Sequence, residues 1–179
     1  MVSLHVIFWM FIILFAIIGT MRGWARELLV TCSVMVALFI LTALVQFVPA
    51  VGDFITGGEP GRTFWLRAGV ILALVFFGYQ TPNLPRLAGS HRFVREHVQD
   101  SLLGLFLGAI NGFLIFGSIW YYLDQAGYPF AIVTPPIAGT TGGDAAAWLL
   151  PLLPPQWLTT PLIYFAVVIA FIFVLVVFL

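Results

Sequence analysis

Residues 4–21 read LHVIFWMFIILFAIIGTM, and residues 28–48, after the connection Arg22-Gly23-Trp24-Ala25-Arg26-Glu27, read LLVTCSVMVALFILTALVQFV. Each run is long enough to cross a hydrocarbon core, which takes roughly 17–25 residues as a helix. In lipid every backbone group has to be bonded within the chain. That leaves helices as the spanning element here, because barrel strands would show short alternating segments instead. The two runs therefore predict consecutive transmembrane helices closed into a tight hairpin, the second stopped by Pro49. The N-terminus has no positive n-region and no small-residue cleavage pattern, so the first run is expected to be a retained helix rather than a signal peptide.

The rest of the chain extends the pattern. Pro49 to Arg62 carries Gly, Pro, Asp53 and Glu59 and reads as a short external loop. A third span is expected at about 63–80, with Arg67 one turn inside it and able to snorkel. Asn83 to Asp100 holds the densest charge, and 92–99 reads as a short amphipathic helix on the membrane surface. A fourth span follows at about 101–123. Residues 124–160 are rich in proline, hold Asp124 and Asp144, and have no basic residue. A last apolar run covers 161–179. The expected fold is an all-α integral membrane protein of five (four plus one) transmembrane helices. Its parts are a four-helix domain at 1–123, an outer segment at 124–160 and a C-terminal helix at 161–179.

Composition agrees with this reading. Of 179 residues 62% are hydrophobic and 8% charged, against about 25% charged in soluble domains. Arginines gather in the first and third connections, so the positive-inside rule places those in the cytoplasm, the N-terminus outside and the C-terminus inside. Seven basic and seven acidic residues cancel, which leaves no basic field for nucleic acid. The single cysteine, Cys32, offers neither a disulfide nor a metal site.

Two segments resemble the colicin V production (CvpA) family of bacterial inner-membrane proteins. Arg22-Gly23-Trp24-Ala25-Arg26-Glu27-Leu28 is similar to its Arg-Gly-aromatic-x-Arg-Glu pattern after an apolar helix. Asp100-Ser-Leu-Leu-Gly104-Leu-Phe-Leu-Gly108-Ala-Ile-Asn111-Gly112 is similar to its Asp-x-x-x-Gly-x-x-x-Gly-x-x-x-Gly opening of the fourth helix. The resemblance covers about residues 1–123. It departs at Ser3 and His5, where the family often carries an acid early in the first helix, at Asn111, where an arginine is common, and in the apolar tail. It implies a multi-pass inner-membrane protein associated with colicin V production or export and with envelope integrity, without an established reaction.

The individual residues give mostly structural expectations. Arg22 and Arg26, four apart, would share a face if one helix ran through both, and serve as a headgroup anchor with Gly23 at the hairpin. Arg26 and Glu27, being adjacent, are not expected to pair. Gly104, Gly108 and Gly112 form a stripe for close helix packing, within the chain or between copies, and Asn111 beside it is expected to hydrogen-bond across helices. Among ionisable groups only Arg67 is expected within a span, which speaks against a charge relay. His5 at a membrane interface is expected to be a polar end residue rather than a haem or pigment ligand. His91 and His97 lack the spacing of a zinc site, and no nucleophile, phosphate-loop or dinucleotide motif is present. No cofactor and no enzymatic activity are expected. Trp148 and Trp157 stand in an apolar outer segment that suits docking to another membrane subunit. Three readings follow: a noncatalytic CvpA-like protein, an accessory subunit of a larger respiratory or photosynthetic complex, and a small transporter or channel. Expected partners are the bilayer and other membrane subunits or a second copy.

Overall fold

A computed structural model describes residues 3–80 and 94–178. Its elements are all helical: α1 (Leu4–Arg22), α2 (Trp24–Phe47), α3 (Pro49–Thr56), α4 (Pro60–Tyr79), α5 (Val94–Gln125), α6 (Thr141–Leu149), α7 (Pro154–Trp157) and α8 (Leu162–Phe178), with a single 3-10 turn at Leu150–Leu152. Four of them, α1, α2, α4 and the Val98–Gln125 part of α5, are long and apolar enough to cross a membrane, and Leu162–Val176 is a shorter apolar helix.

The helices form one bundle organised around α5. Phe8 meets Trp120, with ring centroids 5.5 Å apart, while the Trp24 N–H meets Asp100, so α1 runs antiparallel to α5 along its length. The α2 helix runs parallel to α5 on its other side, and α4 and α8 run antiparallel to α2. Val30, Val34, Leu38 and Leu41 of α2, Ile71 and Val75 of α4, Leu114 and Ile115 of α5, and Ile163 make the main core. A second core joins Phe8 and Trp120 to Ala146, Leu149 and Leu153. Outward faces such as Met10, Phe77 and Phe106 remain exposed, which suits lipid as the surrounding solvent.

Four sequence expectations change. The first pair of helices turns back at Gly23, but instead of closing into a tight hairpin it splays, because α1 lies against α5 along its length and takes few contacts from α2. Pro49 does stop α2, yet it also opens the two-turn α3. Proline is tolerated there because the first N–H of a helix has no intrahelical acceptor to lose. Gly52 then packs on the Val45 backbone, so the expected loop is half helix. The surface helix expected at 92–99 is, from Val94, the opening of α5 itself; Arg92, like His91 and most of the third connection, lies outside the described residues. The outer segment folds rather than merely lying on the interface. Thr140 caps α6 by accepting from Gly143 N at 3.1 Å, and Leu149, Leu153 and Leu158 are buried while Trp148 and Trp157 stay out.

One end of the bundle thus carries the α1–α2 turn, the end of α4 and the start of α5. The other carries Ser3, α3 and the segment from 126 to 161, where Thr160 Oγ1 donates to Gln46 Oε1 at 3.2 Å.

Candidate functional site

Of the three buried polar side chains among the described residues, Ser118 donates to Leu114 O within α5, while Glu27 and Asn111 meet near the α1–α2 turn, and the turn itself explains why. Gly23 sits at φ 83°, a backbone region glycine enters without cost, and its N–H closes α1 on Gly19 O at 2.9 Å. The α2 helix starts one residue later with unbonded N–H groups. One of them, Trp24 N–H, donates to Asp100 Oδ1 of α5 at 3.1 Å. Asp100 thereby does the work of an N-cap residue from 76 residues away, satisfying a donor that lipid cannot. A Cβ on Gly23 would lie 2.7 Å from Asp100 Oδ2, so the glycine also makes room for the carboxylate.

Because α2 begins at Trp24, Glu27 falls inside the helix, on the face shared with Val30, Val34, Leu38 and Leu41, and is wholly buried. Its carboxylate is fully engaged. Oε1 pairs with Arg22 Nη1 at 3.0 Å, the arginine being 18% exposed and the glutamate 0%. Oε2 accepts from Asn111 Nδ2 at 2.9 Å and from the Tyr79 hydroxyl at 3.3 Å. Asn111 Nδ2 also donates to the Glu27 carbonyl at 2.8 Å, and Asn111 Oδ1 accepts from Thr31 Oγ1 at 2.7 Å, so the amide uses both donors and its acceptor. Arg22 Nη2 donates to Tyr79 O at 3.2 Å, and the guanidinium stands 4.2 Å from the centre of the Tyr79 ring. Four helices, α1, α2, α4 and α5, are tied at this one point.

The glycine stripe lies just beside it. Gly104 and Gly108 face the backbone of Gly19 and Phe15 on α1, close enough that a Cβ at either glycine would collide with a carbonyl oxygen, and Gly112 faces Ile12. The partner in this fold is therefore α1 of the same chain, with Phe11 and Phe116 stacked at 3.6 Å further along.

The two segments singled out by resemblance, separated by most of the four-helix domain in sequence, thus interlock: Trp24 on Asp100, Gly23 on Gly104, Glu27 on Asn111, with Gly19 just before the first segment packed on Gly104 and Gly108. The chain belongs to the colicin V production protein family. The family model matches residues 4–133, which extends past α5 into the outer segment and beyond the 123 residues the motifs suggested. No curated protein and no solved structure matches the chain. With its four membrane-capable helices, this member of the family is a multi-pass membrane protein.

The remaining sequence candidates are dispersed. The break at Gly23 puts Arg22 at the end of α1 and Arg26 in the first turn of α2, on different helices instead of one face. Trp148 is 63% exposed, and Trp157 donates its indole N–H to Leu152 O at 3.1 Å. His5 lies at the far end of α1, its Nδ1 buried without a hydrogen bond; the His97 side chain and His91 fall outside the described residues. Among the described residues no group of three His, Cys, Asp or Glu is placed to hold a metal. Cys32 is buried, its thiol 3.7 Å from Ala170 O of α8.

Glu27, Tyr79, Thr31 and the capping role of Asp100 were not among the sequence candidates. The sequence places Glu27 in the connection and leaves Arg67 as the only ionisable group expected within a span; in the fold both are inside helices. A signal was present. Glu27 and Thr31 are four apart and in phase with Val34, Leu38 and Leu41, which places them on the buried stripe of a helix begun three residues earlier.

Proposed function

We propose that the protein is a noncatalytic component of the bacterial inner membrane that organises or assists other membrane components in envelope homeostasis or export. The observation that carries this reading is the closed bonding of the Glu27 cluster. A proton relay or catalytic acid needs a position open to water or substrate, whereas Glu27 and Asn111 spend their hydrogen-bonding capacity on Arg22, Tyr79 and Thr31. Such a cluster fixes the relative positions of four helices and acts as a lock.

The topology goes with it: five spans, N-terminus outside and C-terminus inside. Support comes from the antiparallel run of α8 along α2, whose 17 residues extend about 25 Å at 1.5 Å each, and from Arg22 and Arg26 lying at the end where α4 stops and α5 starts. Engineered cysteines at Ser90 and Gly142 in a Cys32→Ser background should label from opposite sides of the membrane; labelling from one side would reject this arrangement.

A second reading, an accessory subunit of a larger energy-converting complex, is favoured by the exposed Trp148 and by the outer face of α8, where Phe165, Ile169, Phe171 and Val176 are unburied. Purification in mild detergent separates the two. Stoichiometric co-purification of respiratory or photosynthetic subunits supports the second, and a monomer or homo-oligomer the first. In a strain lacking the protein, envelope sensitivity to detergent should rise and be restored by the intact chain. Solute flux in proteoliposomes that changes on Asn111→Leu or Arg67→Leu would overturn both in favour of a transporter.

A further inference from the structure

At the opposite end of the bundle from the Glu27 lock, a cleft of about 470 Å³ opens between α2, α4, α5 and the chain from Pro155 to Thr160. This is within the range of about 300–1,000 Å³ typical of small-ligand sites. Leu38, Leu41 and Val45 of α2 and Ile55 of α3 give it an apolar wall. Arg67 lines the other side, and no acidic residue contributes to the lining.

Arg67 is the eighth residue of α4, which puts it roughly 10 Å along the helix axis from its start. A cation at that depth is costly and is expected to have a counter-charge or a use. Among the described residues no carboxylate is in ion-pair contact with it. The guanidinium instead stands 5.1 Å from the centre of the Tyr122 ring, a contact that offsets part of the cost and leaves the N–H edges available. Tyr121, which lines the same cleft, accepts from Gln125 Nε2 at 2.9 Å through its hydroxyl, so its own proton is free to be donated. A planar fork of N–H donors together with a phenolic O–H above an apolar wall matches an anionic oxygen group carrying a hydrocarbon tail.

We propose that this cleft binds the phosphate of an anionic membrane phospholipid, Arg67 holding the phosphate and Tyr121 donating a second hydrogen bond, with the acyl chains leaving past the exposed Val45. The full chain, purified in mild detergent and titrated with phosphatidylglycerol or phosphatidylcholine, is read by native mass spectrometry. The wild type should retain one phosphatidylglycerol with a roughly fivefold preference over phosphatidylcholine, whose phosphate is the same but whose choline cation is repelled by Arg67 and meets no carboxylate in the lining. Arg67→Gln should lose the preference, Arg67→Lys should keep part of it, and Tyr121→Phe, which leaves the charge, should weaken retention a few-fold. Thermal unfolding followed by tryptophan fluorescence checks that each variant folds. If Arg67→Gln does not fold, Tyr121→Phe decides. Equal retention of the two lipids by the wild type, or retention unchanged in the folded variants, overturns the proposal. Displacement of the lipid by millimolar inorganic phosphate overturns it too, by making the ligand a free anion.

Discussion

Replacing Asn111 by leucine tests whether the Glu27 cluster locks the bundle. The substitution is nearly isosteric, so little cavity opens, but it removes the donors that reach Glu27 Oε2 at 2.9 Å and Glu27 O at 2.8 Å and the acceptor that takes the Thr31 proton at 2.7 Å. Hydrogen bonds between membrane helices average about 0.6 kcal/mol and reach about 1.7, and those to charged groups lie near the upper figure. The loss should be about 2 kcal/mol. Glu27→Leu strands the Tyr79 hydroxyl and the Asn111 amide and unpairs Arg22. Breaking a buried pair costs about 3–5 kcal/mol, and the lower end applies because Arg22 is 18% exposed and can turn toward the headgroups. The two changes share one bond, from Asn111 Nδ2 to Glu27 Oε2, since the bond to the Glu27 backbone carbonyl survives Glu27→Leu. In the double variant that common loss is counted once, so its destabilisation should fall short of the sum by about 1–2 kcal/mol. Equilibrium unfolding in mixed micelles, followed by tryptophan fluorescence, measures all four corners. Additivity to within about 0.5 kcal/mol would show that the residues act independently and would refute the lock.

Other positions give sharper single readings. Gly108→Ile should force α1 off α5, since a Cβ there already meets the Phe15 backbone; overpacking of about 1–3 kcal/mol or more should appear as a lowered unfolding midpoint and as lost cross-linking between cysteines placed at Phe8 and Trp120. Asp100→Ala removes the acceptor of Trp24 N–H and should cost about 1 kcal/mol, as an N-cap does, whereas Asp100→Asn should keep most of it; equal effects of the two would count against capping. The Tyr128 hydroxyl, outside the spans, is pushed up in pKa chiefly by burial and further by its bond to Asp124. The fold thus retains a proton that the unfolded chain releases near pH 10, so stability should be complete below that pH and decline as pH rises above it. Tyr128→Phe should flatten the decline seen in a pH series of melting curves, and an unchanged slope would exclude Tyr128 as its source.

The helical, multi-pass character was legible because it follows from summed hydropathy, a property insensitive to which helices touch. Helix ends and neighbours were less so. Pro49 was read by its missing N–H as a stop, but at the first position of α3 that N–H is not needed. The glycine spacing announced a close approach without naming the helix across from it, since nothing in Gly104 or Gly108 specifies Gly19. Glu27 was hidden by its setting. Next to Arg26 and just before an apolar run, a carboxylate resembles the rim of a connection, and only the cap supplied by Asp100 from α5 allows α2 to start early enough to swallow it.

That dependence has a consequence for how the fold holds together. Burying Glu27 is tolerable only when Arg22, Tyr79 and Asn111 arrive together, and they come from the end of α1, the end of α4 and the middle of α5. None of the three pairs would offset desolvation of the carboxylate alone. The cluster therefore rewards the complete assembly and penalises partial ones, which gives register to helices whose apolar faces could slide in lipid without much loss. The opposite end, where among the described residues Arg67 has no carboxylate in ion-pair contact and Trp148 is 63% exposed, has no such closure. Variants at the Glu27 end should accordingly change how much folded protein the membrane holds, while Arg67 and Tyr121 variants should change what the folded protein binds. If Arg67→Gln lowered folded yield as far as Glu27→Leu does, this division between a locked end at Glu27 and a binding end at Arg67 would fail.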